Sequence, residues 1–257
     1  MANRREGSRS VSDRPTKADR KDEARRKRLE IERRMARARR NRRIAVAVAV
    51  ALVAALAAFA ASRPKPEPAS VTKLLAAAPA AERTAGCTTV QVVGAYQPES
   101  LDRAHIGAQG GPATMPALSS YPSVPPASGP HSATPLPAGV YSSPPAIDQA
   151  IHSLEHGAAI LWYDPSASAA ELSKIQAFFR DPAVGSRVIV APYDYPDQGE
   201  AGHLPAGAGA AFVAWHHLET CAQLSLPAAV DFAAHYGVPT IGGGKYLGDA
   251  PEPGAPI

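Results

Sequence analysis

The chain has 257 residues, of which 45% are hydrophobic and 19% are charged, and its formal net charge is +4 at pH 7. That charge is an average over two unlike parts, because residues 1–43 carry 18 Lys/Arg against 7 Asp/Glu whereas the remainder has a net charge of −7. The overall charge therefore gives no reason to place the folded part among nucleic-acid-binding domains, and no nucleic-acid partner is expected.

The basic arm is followed by an apolar run, residues 44–61, with 18 residues and no charged or polar side chain. As a helix this run is about 27 Å long, enough for a thin hydrocarbon core. Basic residues before such a span are typical of the cytoplasmic side. The sequence thus predicts a single-pass protein of the cell membrane, with residues 1–43 as a basic cytoplasmic arm, 44–61 as the transmembrane helix and an extracytoplasmic C-terminal domain.

Alternatives remain for both segments. The apolar run could belong to a cleaved signal peptide, although 43 residues are far too many for an ordinary n-region. The arm is expected to lie against anionic lipid headgroups of the bilayer, and RNA binding is the alternative. Beyond the membrane, the sequence predicts a Pro/Ala-rich linker at 62–85, a folded domain at 86–240 and a flexible tail at 241–257.

The two cysteines, Cys87 and Cys221, both follow the proposed membrane span. In an oxidising compartment they are expected to form a disulfide that closes a long loop. Two free buried thiols are the alternative. A metal site that uses both is less favoured, because no CxxC spacing occurs.

Regular structure is expected before and after a Pro-rich segment, residues 97–145, which contains eleven prolines. The predicted elements are strands at 88–93, 158–163, 187–191 and 210–220 and helices at 168–180 and 226–236. The β-α-β order implies a right-handed crossover and a parallel strand pair. We therefore predict an α+β domain with a mixed β-sheet. A thioredoxin-like arrangement is the nearest familiar layout for its β-α-β-β-α second half.

The side chains best suited to chemistry are concentrated in the run IHSLEHGAAILWYDP, residues 151–165. It places His152 and His156 four residues apart, on one face of a helix, with Glu155 between them. Gly157 fits a helix C-cap, where a positive φ costs little. The apolar residues that follow predict a buried strand, so the two histidines are expected at the end of a short helix that leads into the core.

Three interpretations of this run stay open. Histidines at a helix end can simply bond to carbonyl groups and favour the negative end of the helix dipole. The spacing H-x-x-E-H also matches the inverted zincin pattern, in which Glu155 would be the general base of a zinc hydrolase and Glu219 a candidate third ligand. The third interpretation is a metal-binding site without catalysis.

A metal site would draw on histidines outside the run as well. His131 ends the stretch YPSVPPASGPH, and His105 lies earlier in the same Pro-rich segment. Several imidazoles with one carboxylate suit copper(II) or zinc(II). We predict that His131, His152 and His156 converge on one ion, with His105 as the fourth ligand and Glu155 as a ligand or the partner of a ligand.

The remaining histidines are weaker candidates. His216 and His217 alternate across a predicted strand, so at most one could join the site. His235 is expected on the surface of the last helix.

Several of these motifs together resemble a known family. YPSVPPASGPH, GVY, IHSLEHGAAILWYDP and VIVAPY follow one another in the order found in the bacterial membrane-anchored family known as domain of unknown function 3105, over roughly residues 105–237. The residues that fall on the family pattern are His105, Ser128, Gly129, His131, Tyr141, His152, Glu155, His156 and Gly157. The resemblance implies an outward-facing domain behind one membrane span and supplies no reaction. It gives no support to His203, which lies in a Gly-rich insertion, or to the two cysteines.

The sequence thus leaves three functional hypotheses and no decision on whether the protein is an enzyme. The first is an extracytoplasmic domain that binds copper or zinc at a His-rich site. The second is a zinc hydrolase that uses His152, Glu155 and His156. The third is a module of the cell envelope that binds another protein and in which the histidines are structural.

Overall fold

The computed structural model describes residues 17–61 and 69–257, which fall into two compact units. In the first unit the described residues form one helix of 45 residues, α1 (Lys17–Ala61). Arg, Lys, Glu and Ala, which are strong helix formers, make up most of it. Residues 1–16, the beginning of the predicted basic arm, lie outside the described residues.

A search of residues 17–61 and 69–257 for a helix with the length and apolar character needed to cross a membrane finds none. The side chains of residues 55–61, at the end of the predicted span, lie outside the described residues. The membrane anchor therefore stays a prediction.

The second unit contains one mixed β-sheet of six strands with helices around it. Its elements are α2 (Ala69–Ala85), β1 (Gln91–Val92), β2 (Gly139–Val140), α3 (Ile147–Glu155), β3 (Ala159–Tyr163), α4 (Ala169–Phe179), α5 (Pro182–Gly185), β4 (Val188–Pro192), β5 (Ala210–Ala214), β6 (His217–Cys221) and α6 (Leu226–Tyr236). The strand order is β1-β6-β5-β3-β4-β2. Strand β4 is parallel to β2 and β3, and the other neighbours are antiparallel. The predicted α+β class with a mixed sheet is confirmed.

The sheet has a core on each face, because successive strand residues point to opposite sides. On β3, Leu161 belongs to a cluster with residues of α2, α4 and α6, whereas its neighbour Trp162 belongs to a second cluster with α3 and the Pro-rich segment. β3, β4 and β5 are buried along their whole length. The face that packs against α3 carries the predicted site.

The predicted strand at 210–220 is wrong, because the chain reverses direction within it. Two strands, β5 and β6, pair in register from Ala210↔Cys221 to Ala214↔His217. The two residues of the turn include His216, the only non-glycine residue with a positive φ (59°) in the described part of the chain. Turns of this kind normally contain Gly, Asn or Asp, and the sequence there has none of them.

Two segment boundaries also differ from the prediction. The second part of the predicted linker, 62–85, is helix α2, with Val71 and Ala78 fully buried, because its alanines favour a helix and pack closely against α6. Residues 62–68 lie outside the described residues. The predicted tail is tied down at its end, where Glu252 N–H donates to Glu155 O and Gly254 N–H to His156 O.

The Pro-rich segment has little regular structure, as predicted. It contains β2 and two short 3₁₀ turns, at Glu99–Leu101 and Leu118–Ser120. It nevertheless packs into the core, since Leu118, Ala127 and Leu136 are buried.

Candidate metal centre

Helix α3 supplies the two histidines and the glutamate of the HSLEHG run. Its apolar side chains, among them Ile151 and Leu154, are buried against the sheet. His152 and Glu155 lie in its last turn, and His156 is the C-cap residue. Gly157 has φ +87°, and a Cβ there would lie 3.1 Å from the Val238 side chain. The predicted helix end is thus confirmed, with Gly157 one residue after the C-cap, in the position where a positive φ is common.

The Pro-rich segment brings the other two histidines to α3. His105 and His131 form an isolated parallel bridge, in which Ile106 N–H donates to His131 O at 2.8 Å and His131 N–H to Ala104 O at 3.1 Å. The ring centroids of His131 and His152 are 4.9 Å apart, and the His105 ring stacks on His152 at 5.1 Å. His105, His131, His152 and Glu155 therefore surround one point: one ligand atom from each lies within 4.8 Å of all the others.

Backbone carbonyl groups orient three of the rings. The Nδ1 atoms of His131, His152 and His156 lie 2.8, 2.6 and 2.7 Å from the carbonyl oxygens of residues 129, 132 and 256. A carbonyl oxygen can only accept a hydrogen bond, so each Nδ1 carries a proton and donates it. In a neutral ring the lone pair is then on Nε2. All three rings thus present Nε2 as the free ligand atom.

The Nε2 atoms face other acceptors. His131 Nε2 lies 3.0 Å from Glu155 Oε2, and His152 Nε2 lies 2.9 Å from His156 Nε2. With protons already on the Nδ1 atoms, two acceptor lone pairs meet at each contact. A further proton or a metal ion between the atoms satisfies each contact. Burial lowers the pKa of His152, with the neighbouring imidazoles adding to this effect, so its neutral form is favoured.

Glu155 is the carboxylate that contacts both Arg103 and His131. It is 3% exposed, and its Oε1 accepts a hydrogen bond from Arg103 Nε at 2.7 Å. Burial alone raises the pKa of Glu155, but the hydrogen bonds and positive charges of His131 and Arg103 outweigh that effect and bring it to about 2. Glu155 is therefore a permanent carboxylate at neutral pH.

The end of the chain covers this group. Arg103 also donates to Glu252 Oε1 at 3.0 Å, and Glu252 Oε2 lies 3.6 Å from His156 Nε2. Arg187 donates to Gly254 O at 2.7 Å and to Ala255 O. Sequence reasoning missed Arg103, Glu252 and Arg187. Only Arg103 had a local signal, since it lies two residues before His105.

A second buried carboxylate, Asp102, positions the loop that bears His131. Its Oδ1 accepts from Tyr96 N–H and from Ser128 Oγ, both at 2.6 Å, and its Oδ2 lies 2.8 Å from His216 Nε2. Burial raises the pKa of Asp102, but the hydrogen bonds from His216, Ser128 and Tyr96 N–H together lower it below its usual value. Asp102 was missed because its partners are distant in sequence.

Gly129, which follows Ser128 in the loop before His131, has φ +120°, and a Cβ there would lie 2.7 Å from the Tyr121 ring. Only glycine fits this position without a shift of the neighbouring ring.

The other candidate residues lie outside the group of four. His216 pairs with Asp102, and the His217 ring lies 2.9 Å from Trp215 O. Glu219, the candidate third ligand of a hydrolase, is on the opposite face of the sheet, since its register partner Phe212 belongs to the cluster with α6.

Two further histidines have local acidic partners. His203 lies 3.4 Å from Asp194, and His235 lies 3.5 Å from Asp231.

Comparison with known proteins gives one family. No curated protein and no solved structure matches the chain, so the thioredoxin-like layout stays a prediction. Residues 114–244, just over half of the chain, match the family described as protein of unknown function (DUF3105). The matched segment contains His131, His152, Glu155 and His156, whereas His105 precedes it. The chain therefore belongs to the DUF3105 family, the one that the HSLEHG and PPASGPH motifs indicated.

Proposed function

We propose that this protein binds one transition metal ion, copper or zinc, through His105, His131, His152 and Glu155, with His156 beside them. The observation that carries the proposal is the orientation of the rings. Three Nδ1 atoms are held by backbone carbonyl groups, which leaves the Nε2 atoms directed at Glu155 and at one another. Hydrogen-bonded Nδ1 atoms of this kind are typical of histidines that ligate a metal.

The chemistry of the ligands favours these metals. Imidazole nitrogen and carboxylate oxygen bind zinc at about 2.0–2.2 Å, and imidazole also suits copper. Four such ligands of a tetrahedral ion lie about 3.4 Å from one another, and the four candidate ligand atoms lie within 4.8 Å. A small inward movement of the side chains would complete the coordination.

Catalysis by Glu155 is not favoured. A carboxyl group whose pKa is about 2 is a weak general base and stays ionised at neutral pH. Its oxygens are also engaged by Arg103 and His131. The hydrolase hypothesis further lacks its third ligand, because Glu219 lies on the other face of the sheet.

A structural role for the histidines is the second candidate. The same contacts can be satisfied by shared protons, and the rings are buried deeply enough to belong to a rigid hydrogen-bond network. In that case the function would lie on a surface that binds a protein of the cell envelope. Metal binding separates the two candidates.

We place the site outside the cell membrane, anchored by residues 44–61 with the N-terminus in the cytoplasm. The uncharged run of 18 residues behind a strongly basic arm supports this topology. Protease added to intact cells should digest the domain beyond residue 62 and spare the arm. A domain protected from the protease would contradict the topology.

The metal proposal is tested by titrating the purified full chain with copper(II) and zinc(II) and counting bound ions after dialysis. We expect one ion per chain, and its loss in His131→Gln and His152→Gln. His203→Gln is the matched control, because this half-exposed histidine pairs with Asp194 away from the site. Failure of both metals to bind would reject the proposal and favour the structural network.

A further inference from the structure

The disulfide lies on the other face of the sheet from the histidines. Cys87, which follows α2, is bonded to Cys221 at the end of β6. Cys221 is 1% exposed, whereas Cys87 is only half-buried. Cys87 is therefore the more accessible of the two cysteines to an external thiol, and Cys221 is the one whose sulfur would leave.

A buried acid adjoins this bond. Glu219 lies two residues before Cys221 on β6, so both side chains point to the same face of the sheet. Its carboxyl oxygen and the two sulfur atoms lie within 4.8 Å of one another. Glu219 is 6% exposed.

The surroundings of Glu219 keep its proton in place. Burial raises the pKa of Glu219 to about 8, and the carboxylates of Glu82 on α2 and Asp231 on α6 contribute to the increase. The other titratable groups on this side include His217 and Tyr236, whose rings lie 4.7 Å apart, and His235, which is paired with Asp231. Burial raises the pKa of Tyr236, and the charges of Glu219, Asp231 and Asp249 raise it further. At neutral pH Glu219 is thus mainly a neutral acid beside a disulfide.

We propose that the Cys87–Cys221 disulfide is a site of thiol–disulfide exchange with an external dithiol, and that Glu219 gives its proton to the Cys221 sulfur as the bond breaks. A thiolate leaving into an apolar interior is costly, because burial disfavours the charged form. The Glu219 carboxyl group lies within 4.8 Å of the sulfur atoms, so a small movement of its side chain would let it donate a proton and lower that cost. This proposal does not depend on the metal site.

The exchange has two steps. A thiolate of the dithiol attacks Cys87 Sγ, the S–S bond breaks, and its electron pair goes to Cys221 Sγ, which takes the proton of Glu219. The second thiolate of the dithiol then attacks the first sulfur atom of the same dithiol, which is bonded to Cys87 in the mixed disulfide. This step releases Cys87, which takes a proton from water. The dithiol is oxidised by two electrons to a disulfide, the protein is reduced by two electrons, and water restores the proton of Glu219.

The test measures the rate at which excess dithiothreitol reduces the full chain, followed by alkylation of the new thiols and mass spectrometry. Wild type and Glu219→Gln are compared from pH 6 to pH 9.5, and the ratio of their rates cancels the ionisation of the reagent. At pH 6.5 we expect wild type to be faster by about a hundredfold, the lower end of the range of general acid catalysis. The ratio should fall towards one as pH rises through about 8.

Asp231→Asn is the matched control. It keeps the proton donor but removes one charge that raises the pKa of Glu219. The ratio measured with this variant should therefore fall at a lower pH than in wild type. Equal rates at pH 6.5, a ratio independent of pH, or faster reduction of Glu219→Gln at every pH would each overturn the proposal.

If Glu219→Gln does not fold, a second measurement tests the proposal with the wild-type chain alone. The rate for the folded wild-type chain is divided by the rate for the same chain unfolded in urea. This ratio should show the same fall near pH 8, and its absence would overturn the proposal.

Discussion

Glu155 and Glu219 are almost equally buried, with 3% and 6% of their surface exposed, yet the pKa of Glu155 is about 2 and that of Glu219 about 8. They lie on opposite faces of one sheet. Burial acts on both in the same direction. The difference arises because Glu155 faces Arg103 and His131, whereas Glu219 faces the carboxylates of Glu82 and Asp231.

The two pKa shifts have opposite consequences for the stability of the folded chain. The folded chain binds the Glu155 proton less tightly than the unfolded chain, so its contribution is present above pH about 4.5 and is lost only as pH falls towards 2. The folded chain holds the Glu219 proton more tightly. Stability from Glu219 is therefore full below pH about 4.5 and falls as pH rises through 8.

The largest expected effect is that of Glu155→Gln. This change removes the negative charge between Arg103 and the fully buried His131. Loss of this buried carboxylate, which Arg103 and His131 contact at 2.7 and 3.0 Å, costs about 3 kcal/mol of unfolding free energy. Urea unfolding at pH 7 measures it. Glu171→Gln is the control, because Glu171 pairs with an exposed Lys174 and should change stability by less than about 1 kcal/mol. Equal effects of the two changes would contradict the account of Glu155.

Gly129→Ala should come next, since it disturbs the carbonyl that orients His131. A Cβ there would lie 2.7 Å from the Tyr121 ring at a φ of +120°. We expect a loss of about 2 kcal/mol and weaker copper or zinc binding, measured by urea unfolding and metal titration. Gly207→Ala is matched, because that glycine also has a positive φ (+83°) but no atom within 4 Å of the added Cβ. Its cost should be about 1 kcal/mol without an effect on metal binding.

Glu219→Gln should act in the opposite sense to Glu155→Gln. At pH 9 the folded wild-type chain contains an ionised, buried Glu219, so the amide should stabilise it by about 1.4 kcal/mol for each unit by which the pKa of Glu219 is raised. At pH 4 the glutamic acid and the glutamine at position 219 are both neutral, and the difference in stability between wild type and variant should vanish. Urea unfolding at the two pH values tests this. A stability change independent of pH would mean that the two carboxyl groups do not differ as described.

Glu252→Gln should have the smallest effect. Glu252 contacts the same Arg103 as Glu155 but is 51% exposed, so solvent screens its charge. We expect less than about 1 kcal/mol at pH 7, measured by the same unfolding experiment. A loss as large as that of Glu155→Gln would show that proximity to Arg103, rather than burial between Arg103 and His131, determines the effect.

Local signals in the sequence were sufficient for half of the site. Two features depend only on residues within one helical turn, namely the spacing of His152 and His156 and the end of the helix at Gly157. The structure has both of them. The hairpin between β5 and β6 was missed because His216 holds a positive φ, which is uncommon for any residue other than glycine. Its conformation depends on contacts outside the strands, among them the pairing with Asp102.

Long-range packing explains the rest of what was missed. Arg103 lies 52 residues before its partner Glu155, and Glu252 reaches the site only because the end of the chain folds back over α3. No spacing rule connects such positions. The opposite character of Glu155 and Glu219 was hidden for the same reason, since it depends on the charges that the fold brings to each.

The most direct test of the central claim is X-ray absorption spectroscopy of the zinc-loaded full chain. The account predicts one shell of nitrogen and oxygen atoms at about 2.0–2.1 Å with the scattering of at least three imidazole rings. His131→Gln should lose this shell, because the variant no longer holds the ion, and His203→Gln should keep it unchanged. A zinc ion surrounded mainly by water oxygen, or by a single imidazole, would contradict a metal site built from His105, His131, His152 and Glu155.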